Sequence, residues 1–487
     1  MLSFSDKGWS DYVKWQSEDK KTLKKINRLM QSISRDGAGN GEGQPEKLKN
    51  EPDAYSRRIE EKIVWFILQL PEITPSHLAR GITTNKIFLR GVFDLKILSA
   101  NFAKMVDDSG GLAKVTCAFA NVMKNFGHEV LLMYADEREG KFFFPIDDEI
   151  QLCNLCRFNS EKISYPLIYK VKREILRPFS KIKARTLNDD FIEKFLLPNV
   201  KAATEKFKPD VVICSQPASG KIFLSDLKIN VPVIVMSHGD PEDYFHTYPP
   251  KEIAALEKSS VCQVLMPSFV APLKKRFPDL PVKVIGNVIP QYKDRANLSA
   301  EKNFYKIIFV GRLVRNHKRP HLLIDAFTKI AKDFPDWIVE LWGADSKKSY
   351  TESLRKKISK AGLNDRIFLK GTTNEVEKVL RDGDIFVFPS AYEGFGMTAG
   401  EAMSAGLPVV AYKNCSAINE LVQDGATGFL CDDGVEPLAE KMSLLMKNRE
   451  LRIKMGAAAR ESMKKYSPEK IWGEWQKLLN EVLKNEV

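Results

Sequence analysis

Ala391 to Ala411 reads AYEGFGMTAGEAMSAGLPVVA, and it follows directly on DIFVFPS (384–390). The run ahead of it is apolar, β-branched and aromatic, as a buried strand is. A glycine-rich turn comes next, then a helix-forming stretch from about Met397, then a second apolar run, PVVAY (408–412). Strand, turn, helix and strand in that order make a parallel βαβ unit. Glu393 and Glu401 stand eight residues apart and frame the turn. Gly394 and Gly396 let backbone come close to a ligand. The helix start presents free N–H groups and a positive dipole end to an anion. Glu401, about one turn in, offers a carboxylate to the vicinal hydroxyls of a sugar or ribose.

The same alternation extends outward in both directions. KIIFVGR (306–312), WIVELWG (337–343) and RIFLKG (366–371) precede the quoted unit. A separate earlier set contains KILSANF (96–102), HEVLLMY (128–134), DVVICSQ (210–216), VPVIVMSHG (231–239) and CQVLMPS (262–268). Continuous apolar strands with helices between them predict parallel sheets covered on both faces. Polar PQYKDRANLSAEKN (290–303) interrupts both sets and reads as a hinge. The expected fold is therefore α/β, with two doubly wound Rossmann-like lobes facing a cleft: an N-terminal lobe over 96–292 and a C-terminal lobe over 305–465. A last helix over 466–487, capped by Ser467 with Pro468 and Glu469 in its first turn, is expected to pack back across the lobes.

In such sheets ligands sit beyond the carboxyl ends of the strands. That directs attention to VGRLVRNHKRP (310–320), where Arg312 and Lys318 can neutralise a diphosphate, one as a planar fork and one as a point charge. Arg315 and Arg319 read as solvated loop cations. Asp108-Ser109-Gly110-Gly111 opens the first helix of the N-terminal lobe and can turn backbone N–H groups towards a phosphate. His238, Gly343 and Ser390 each follow a predicted strand. Asp382-Gly-Asp384 has the DxD look of a metal site but reads as a turn before a buried strand, so no metal is expected.

Residues 305–465 resemble the donor-binding lobe of glycosyltransferase family 4, a retaining GT-B family. The carriers are Glu393, Gly394, Phe395, Gly396 and Glu401, which match its E-x7-E pattern, together with Arg312 and Lys318. GGLAKVTCAFANVMKNFGHEV (110–130) is similar to the family's first loop and helix. The resemblance implies that Glu393 contacts the transferred sugar and Glu401 the ribose. It also implies that backbone around Phe395, Met397 and Thr398 holds sugar hydroxyls and phosphate, that Gly343 forms a donor-lobe turn, and that His238 lies near donor sugar and acceptor. No cofactor is obligatory. The donor is expected to be a nucleotide-sugar, UDP-linked rather than GDP-linked, and the acceptor a glycan or lipid-linked glycan in cell-surface polysaccharide synthesis.

Residues 1–66 resemble the Txe/YoeB group of RelE-like toxins, small α+β enzymes that cleave messenger RNA. WSDYVKWQSEDKKTLKKINRLMQSI (9–33), GQPEKLK (43–49) and YSRRIEEKIVW (55–65) carry the likeness, with Glu46 and Lys49 at positions of that family's active region. The family's His-Arg pair is replaced by Lys62-Ile63, and His77 followed by Leu78 does not supply its terminal His-Tyr pair. A degenerate toxin-like segment is expected, followed by a linker over 67–95. The alternative is an mRNA-cleaving toxin fused to a nucleotide-sugar-binding module.

Lys and Arg outnumber Asp and Glu by 75 to 63, a net charge of +12, which favours anionic partners. YKVKREILRPFSKIKAR (169–185) concentrates that charge, with seven basic residues against Glu174 and with Ile175, Leu176, Phe179 and Ile182 interleaved. It is a candidate surface for anionic membrane lipid; nucleic acid is not expected as a partner. No run reaches the ~18–20 apolar residues of a membrane span, and charges come too early for a secretory signal. Seven scattered cysteines, including the isolated pair Cys153 and Cys156, fit a reducing compartment. The expected location is cytoplasmic, at or near the inner face of the membrane.

Overall fold

The computed structural model describes residues 95–484 apart from 346, together with residue 28 and the strand residues 46–47, 54–60 and 63–68. The helical pattern expected over 9–33, save residue 28, which is helical, lies outside the described residues, as do Lys49, His77 and residues 69–94 of the expected linker; residues 67–68, expected to begin that linker, instead end a strand. The chain divides into two compact units, Met1–Lys96 with Met123–Glu129 and Ile97–Val122 with Val130–Val487. In the first, β1 (Glu46–Lys47), β2 (Ala54–Glu60) and β3 (Ile63–Leu68) form an antiparallel sheet in that order.

The second unit is built on two sheets. One has the order β10-β9-β8-β7-β4-β5-β6. Its strands are β4 (Lys96–Asn101), β5 (Glu129–Tyr134), β6 (Gln151–Asn154), β7 (Val211–Cys214), β8 (Val233–Ser237), β9 (Val261–Val264) and β10 (Val282–Val284). The other has the order β13-β12-β11-β14-β15-β16 and is parallel throughout. Its strands are β11 (Tyr305–Val310), β12 (Trp337–Trp342), β13 (Ile367–Gly371), β14 (Ile385–Phe388), β15 (Val409–Tyr412) and β16 (Gly428–Cys431). Counted from β11, that order is 3-2-1-4-5-6, the doubly wound arrangement, and its crevice opens where β11 and β14 lie side by side.

Five helices matter to the site and its surroundings. They are α1 (Gly111–Asn125), α2 (Leu167–Leu176), α3 (Lys181–Phe191), α4 (Pro320–Ile330) and α5 (Met397–Ser404). A sixth, α6 (Pro468–Lys484), closes the described chain. The central strands are apolar because helices cover both of their faces: all four residues of β14 and of β15 are buried. Phe309, Phe327, Phe386 and Phe388 are fully buried in one continuous core, each contributing about 1.5–3 kcal/mol by leaving water. In α6, Ser467 Oγ accepts from the Lys470 N–H at 3.4 Å. Trp475, Leu478, Leu479 and Val482 are buried, and Trp475 meets Phe119 of α1 edge-on at 5.0 Å. Lys283 of β10 pairs with Glu481 at 3.4 Å, so the helix that follows the second sheet packs on the first.

Cys153 and Cys156 are buried, on β6 and in the turn after it, and burial raises their thiols to about 11 and about 12. Asp384 is a structural anchor: Lys302 pairs with it at 2.8 Å and the Lys306 N–H donates to it at 2.8 Å. No group of side chains suited to a metal occurs among the described residues. No helix among them is long and apolar enough to cross a membrane.

Candidate active site

β11 and β14 pair in parallel, Ile307 beside Ile385 and Ile308 beside Phe386, so the loops at their carboxyl ends emerge together. The Ala391 N–H donates to the His317 carbonyl at 2.8 Å and ties the two loops. Across that junction Lys318 Nζ lies 2.6 Å from Glu393 Oε1. Only 13% and 9% of these side chains are exposed. Lys318 also sits 4.7 Å from the centroid of the Phe388 ring. Burial pushes the Glu393 carboxyl up, but the Lys318 ammonium, helped by His317, outweighs it and holds the group at about 2. Glu393 is therefore a carboxylate at neutral pH, fit to accept hydrogen bonds and unfit to donate a proton.

Gly396 has φ +83°, and a Cβ there would stand 2.2 Å from Ile418 Cδ1. Only glycine turns the chain there into α5. Gly394 is constrained differently: its Cβ would stand 2.0 Å from the His238 carbonyl oxygen. The glycine turn thus abuts the loop that follows β8 in the other lobe. Phe395 is buried and packs edge-on against Tyr466 at 5.0 Å. Met397 and Thr398 occupy the first turn of α5. Gly343 follows β12, and its N–H donates to the Gly371 carbonyl at 2.7 Å, while its α-carbon lies against Gly311.

Glu401 is buried in α5 and accepts from Lys114 Nζ at 2.7 Å. Lys114 belongs to the first turn of α1, directly after the Gly110–Gly111 turn, in which the Gly110 N–H donates to Asp108 Oδ1 at 2.9 Å. The two lobes thus meet at this carboxylate. Arg312 is exposed and makes no ion pair among the described residues. The structure brings Glu393, Lys318, Gly394 and His238 into one junction, and Glu401 with the Gly110–Gly111 turn into another. α5 starts three residues after Gly394, so the two junctions are neighbours.

Buried polar atoms are normally paired. Here His238 Nε2, Ser390 Oγ and Thr398 Oγ1 are buried without a partner. Burial lowers the His238 ring to about 4, which leaves it neutral near pH 7.

Three residues escaped the sequence reading or were misread. His317 stacks on Tyr392 at 4.4 Å and 7°, and its Nε2 lies 3.5 Å from Glu393 Oε1. Lys114 carries no motif of its own in the sequence. Arg319, expected to be a solvated loop cation, is not one. It donates to the Pro389 and Ser390 carbonyls at 2.8 and 3.2 Å and pairs with Asp433 at 2.7 Å, clamping the end of β14. Its φ of +49° immediately before Pro320 starts α4. That Arg-Pro step was the available signal.

Comparison with known proteins bears on the fold and on two stretches of the chain. The family model for glycosyl transferases group 1 matches residues 290–462. The model for the YoeB-like toxin of bacterial type II toxin-antitoxin systems matches residues 4–69. An uncharacterized glycosyltransferase of Haemophilus influenzae is 31% identical over 175 residues, 36% of this chain and 48% of that protein. The poly(glycerol-phosphate) alpha-glucosyltransferase of Bacillus subtilis is 28% identical over 191 residues, 39% of this chain and 28% of that protein. The chain thus spans less than half the length of these relatives. A point mutant of Staphylococcus aureus TarM, solved with fondaparinux, alpha-GlcNAc-glycerol and UDP, superposes with a TM-score of 0.61 at 18% identity, over 79% of this chain and all of that one. Residues 290–462 thus match the glycosyl transferases group 1 family, and the two Rossmann-like lobes of this chain form a GT-B fold.

Proposed function

We propose that this chain is a retaining glycosyltransferase that moves a sugar from a UDP-sugar to a glycan or lipid-linked acceptor in the synthesis of a cell-surface polysaccharide. One observation carries the reading. Three buried, unpartnered polar atoms, His238 Nε2, Ser390 Oγ and Thr398 Oγ1, occur around a buried Lys318–Glu393 pair at the switch point of a doubly wound sheet. Such atoms cost free energy unless a polar ligand meets them, and a sugar diphosphate supplies hydroxyls and phosphate oxygens.

In this reading Arg312 and Lys318 face the diphosphate and offset the charge that grows on it as the bond to the sugar breaks. The acceptor oxygen bonds to the anomeric carbon on the face the phosphate leaves, and the acceptor proton passes to a phosphate oxygen. Glu393, ionised, takes hydrogen bonds from the sugar, while neutral His238 serves as a donor or acceptor. Glu401 takes the ribose hydroxyls beside Lys114, and the N–H groups at the start of α5 meet phosphate. The preference for UDP is supported by TarM, solved with UDP, and the acceptor class by the relative named for poly(glycerol-phosphate).

The match of residues 4–69 to a toxin family favours a second reading, mRNA cleavage by that segment; the replaced His-Arg pair counts against it. Release of nucleoside diphosphate from a panel of UDP- and GDP-sugars separates the two. The transferase reading expects turnover by the full chain, its loss in Lys318→Ala, and its survival when residues 1–85 are deleted. Ribosome-dependent mRNA cleavage with no donor turnover would replace it.

A further inference from the structure

Eleven large apolar side chains stand exposed among the described residues, and five of them fall within 167–179. They are Leu167, Ile168, Val171, Ile175 and Phe179, exposed by 75%, 58%, 49%, 61% and 85%. Positions 168, 171, 175 and 179 follow one another at intervals of three and four, so three of them form a stripe on α2 that continues into the turn after it. No residue of α2 is buried. The hairpin is held from its other side, where Tyr165 packs on Phe191 of α3 at 4.8 Å and donates to Asn188 Oδ1 at 3.0 Å. A contiguous apolar face of this size on a charged surface marks an interaction site.

The charge around the face selects its partner. Residues 167–185 carry seven Lys and Arg against one Glu, a net of +6. Lys172, Lys181 and Lys183 make no ion pair among the described residues. A second copy of the chain would bring two +6 faces together, which repel. A bilayer with anionic lipid accepts both features at once, the apolar stripe below the headgroups and the basic stems reaching up to them.

The face is also coupled to the candidate site. Lys170 of α2 pairs with Glu137 at 3.2 Å, just after β5. The neighbouring Asp136 accepts from the Met105 and Val106 N–H groups at 2.9 Å, holding the loop that leads to Gly110. The hairpin therefore stands at the carboxyl ends of the strands, the end of the lobe from which the site loops come.

We infer that α2, the turn after it and the start of α3 form a docking surface that seats the N-terminal lobe on an anionic membrane. The inference does not depend on the identity of the donor. Flotation of the full chain with vesicles tests it, using phosphatidylcholine alone and with about a third phosphatidylglycerol, at low and high salt. Two variants accompany the wild type: Ile168→Ser/Val171→Ser/Ile175→Ser/Phe179→Ser, and Lys172→Gln/Lys181→Gln/Lys183→Gln.

Binding to the anionic vesicles alone is expected, weakened by salt. At roughly fivefold per basic residue, the lysine variant should bind about a hundredfold less. The serine variant should lose binding too, with melting temperatures of both unchanged. Equal binding to neutral vesicles, no binding to either, or binding that survives both variants overturns the inference. So does self-association, seen by sedimentation, that the serine variant abolishes while the wild type leaves vesicles untouched.

Discussion

Replacing Lys318 by Met keeps most of the side-chain volume and removes the charge that neutralises Glu393. The cost follows from the carboxyl itself. Glu393 is held at about 2 against an ordinary 4.5, a difference worth about 3 kcal/mol at ~1.4 kcal/mol per pH unit. That difference is the net of burial against Lys318 and His317 together; breaking a buried pair by removing one partner costs about 3–5 kcal/mol in measured cases. Because the folded-state pKa is depressed, this contribution is present above pH ~4.5 and is lost as pH falls towards ~2. For a lobe of ~180 residues, 3 kcal/mol lowers the melting temperature by about 6–12 °C. The assay is thermal unfolding at pH 7 of wild type, Lys318→Met, Glu393→Gln and the double variant. The double variant should be more stable than the two single losses added together, because it leaves no buried charge unpaired. A loss under about 1 kcal/mol for Lys318→Met, or simple additivity, would show that the two groups are not a tightly coupled buried pair.

Other perturbations separate chemistry from packing. Arg312→Ala removes an exposed cation without an ion pair, so melting should stay within about 0.5 kcal/mol of wild type; donor turnover should fall about 10²–10³-fold if the cation faces the diphosphate. Gly394→Ala places a methyl group 2.0 Å from the His238 carbonyl oxygen and should part the lobes, cutting kcat/KM while solution scattering records a larger radius. Burial holds Glu252 protonated with Asp189 adding repulsion. Its folded pKa is thus raised, and folding is penalised as pH rises above the unfolded value of about 4.5. Glu252→Gln should therefore raise the melting temperature at pH 8, with the gain vanishing below pH ~4.5.

The central strands of both sheets were legible because burial on both faces makes them continuous apolar runs. β6, β10 and β16 were not, since edge strands of three or four residues carry no distinguishing pattern: QLCN is mostly exposed or polar, and VKV is half-buried throughout. In the site, glycines and acids at fixed spacing were visible because backbone geometry and charge demand particular residue types. Contacts made across the fold were hidden. Lys114 looks like any surface lysine on an amphipathic helix until the second lobe brings Glu401 to it, 287 positions away. Arg319 reads as one more cation in a basic loop, and only the end of β14 shows why its guanidinium is held.

The most direct test of the convergence of Lys318, Glu393, Glu401 and Arg312 on a sugar nucleotide is calorimetric titration of the full chain with UDP, GDP and their sugar conjugates. Saturable binding of at least one conjugate is expected, weakened about tenfold to a hundredfold in Glu401→Ala by loss of a charged hydrogen bond and further in Lys318→Ala. Wild-type protein that binds none of them, or variants that bind as tightly as wild type, would contradict it.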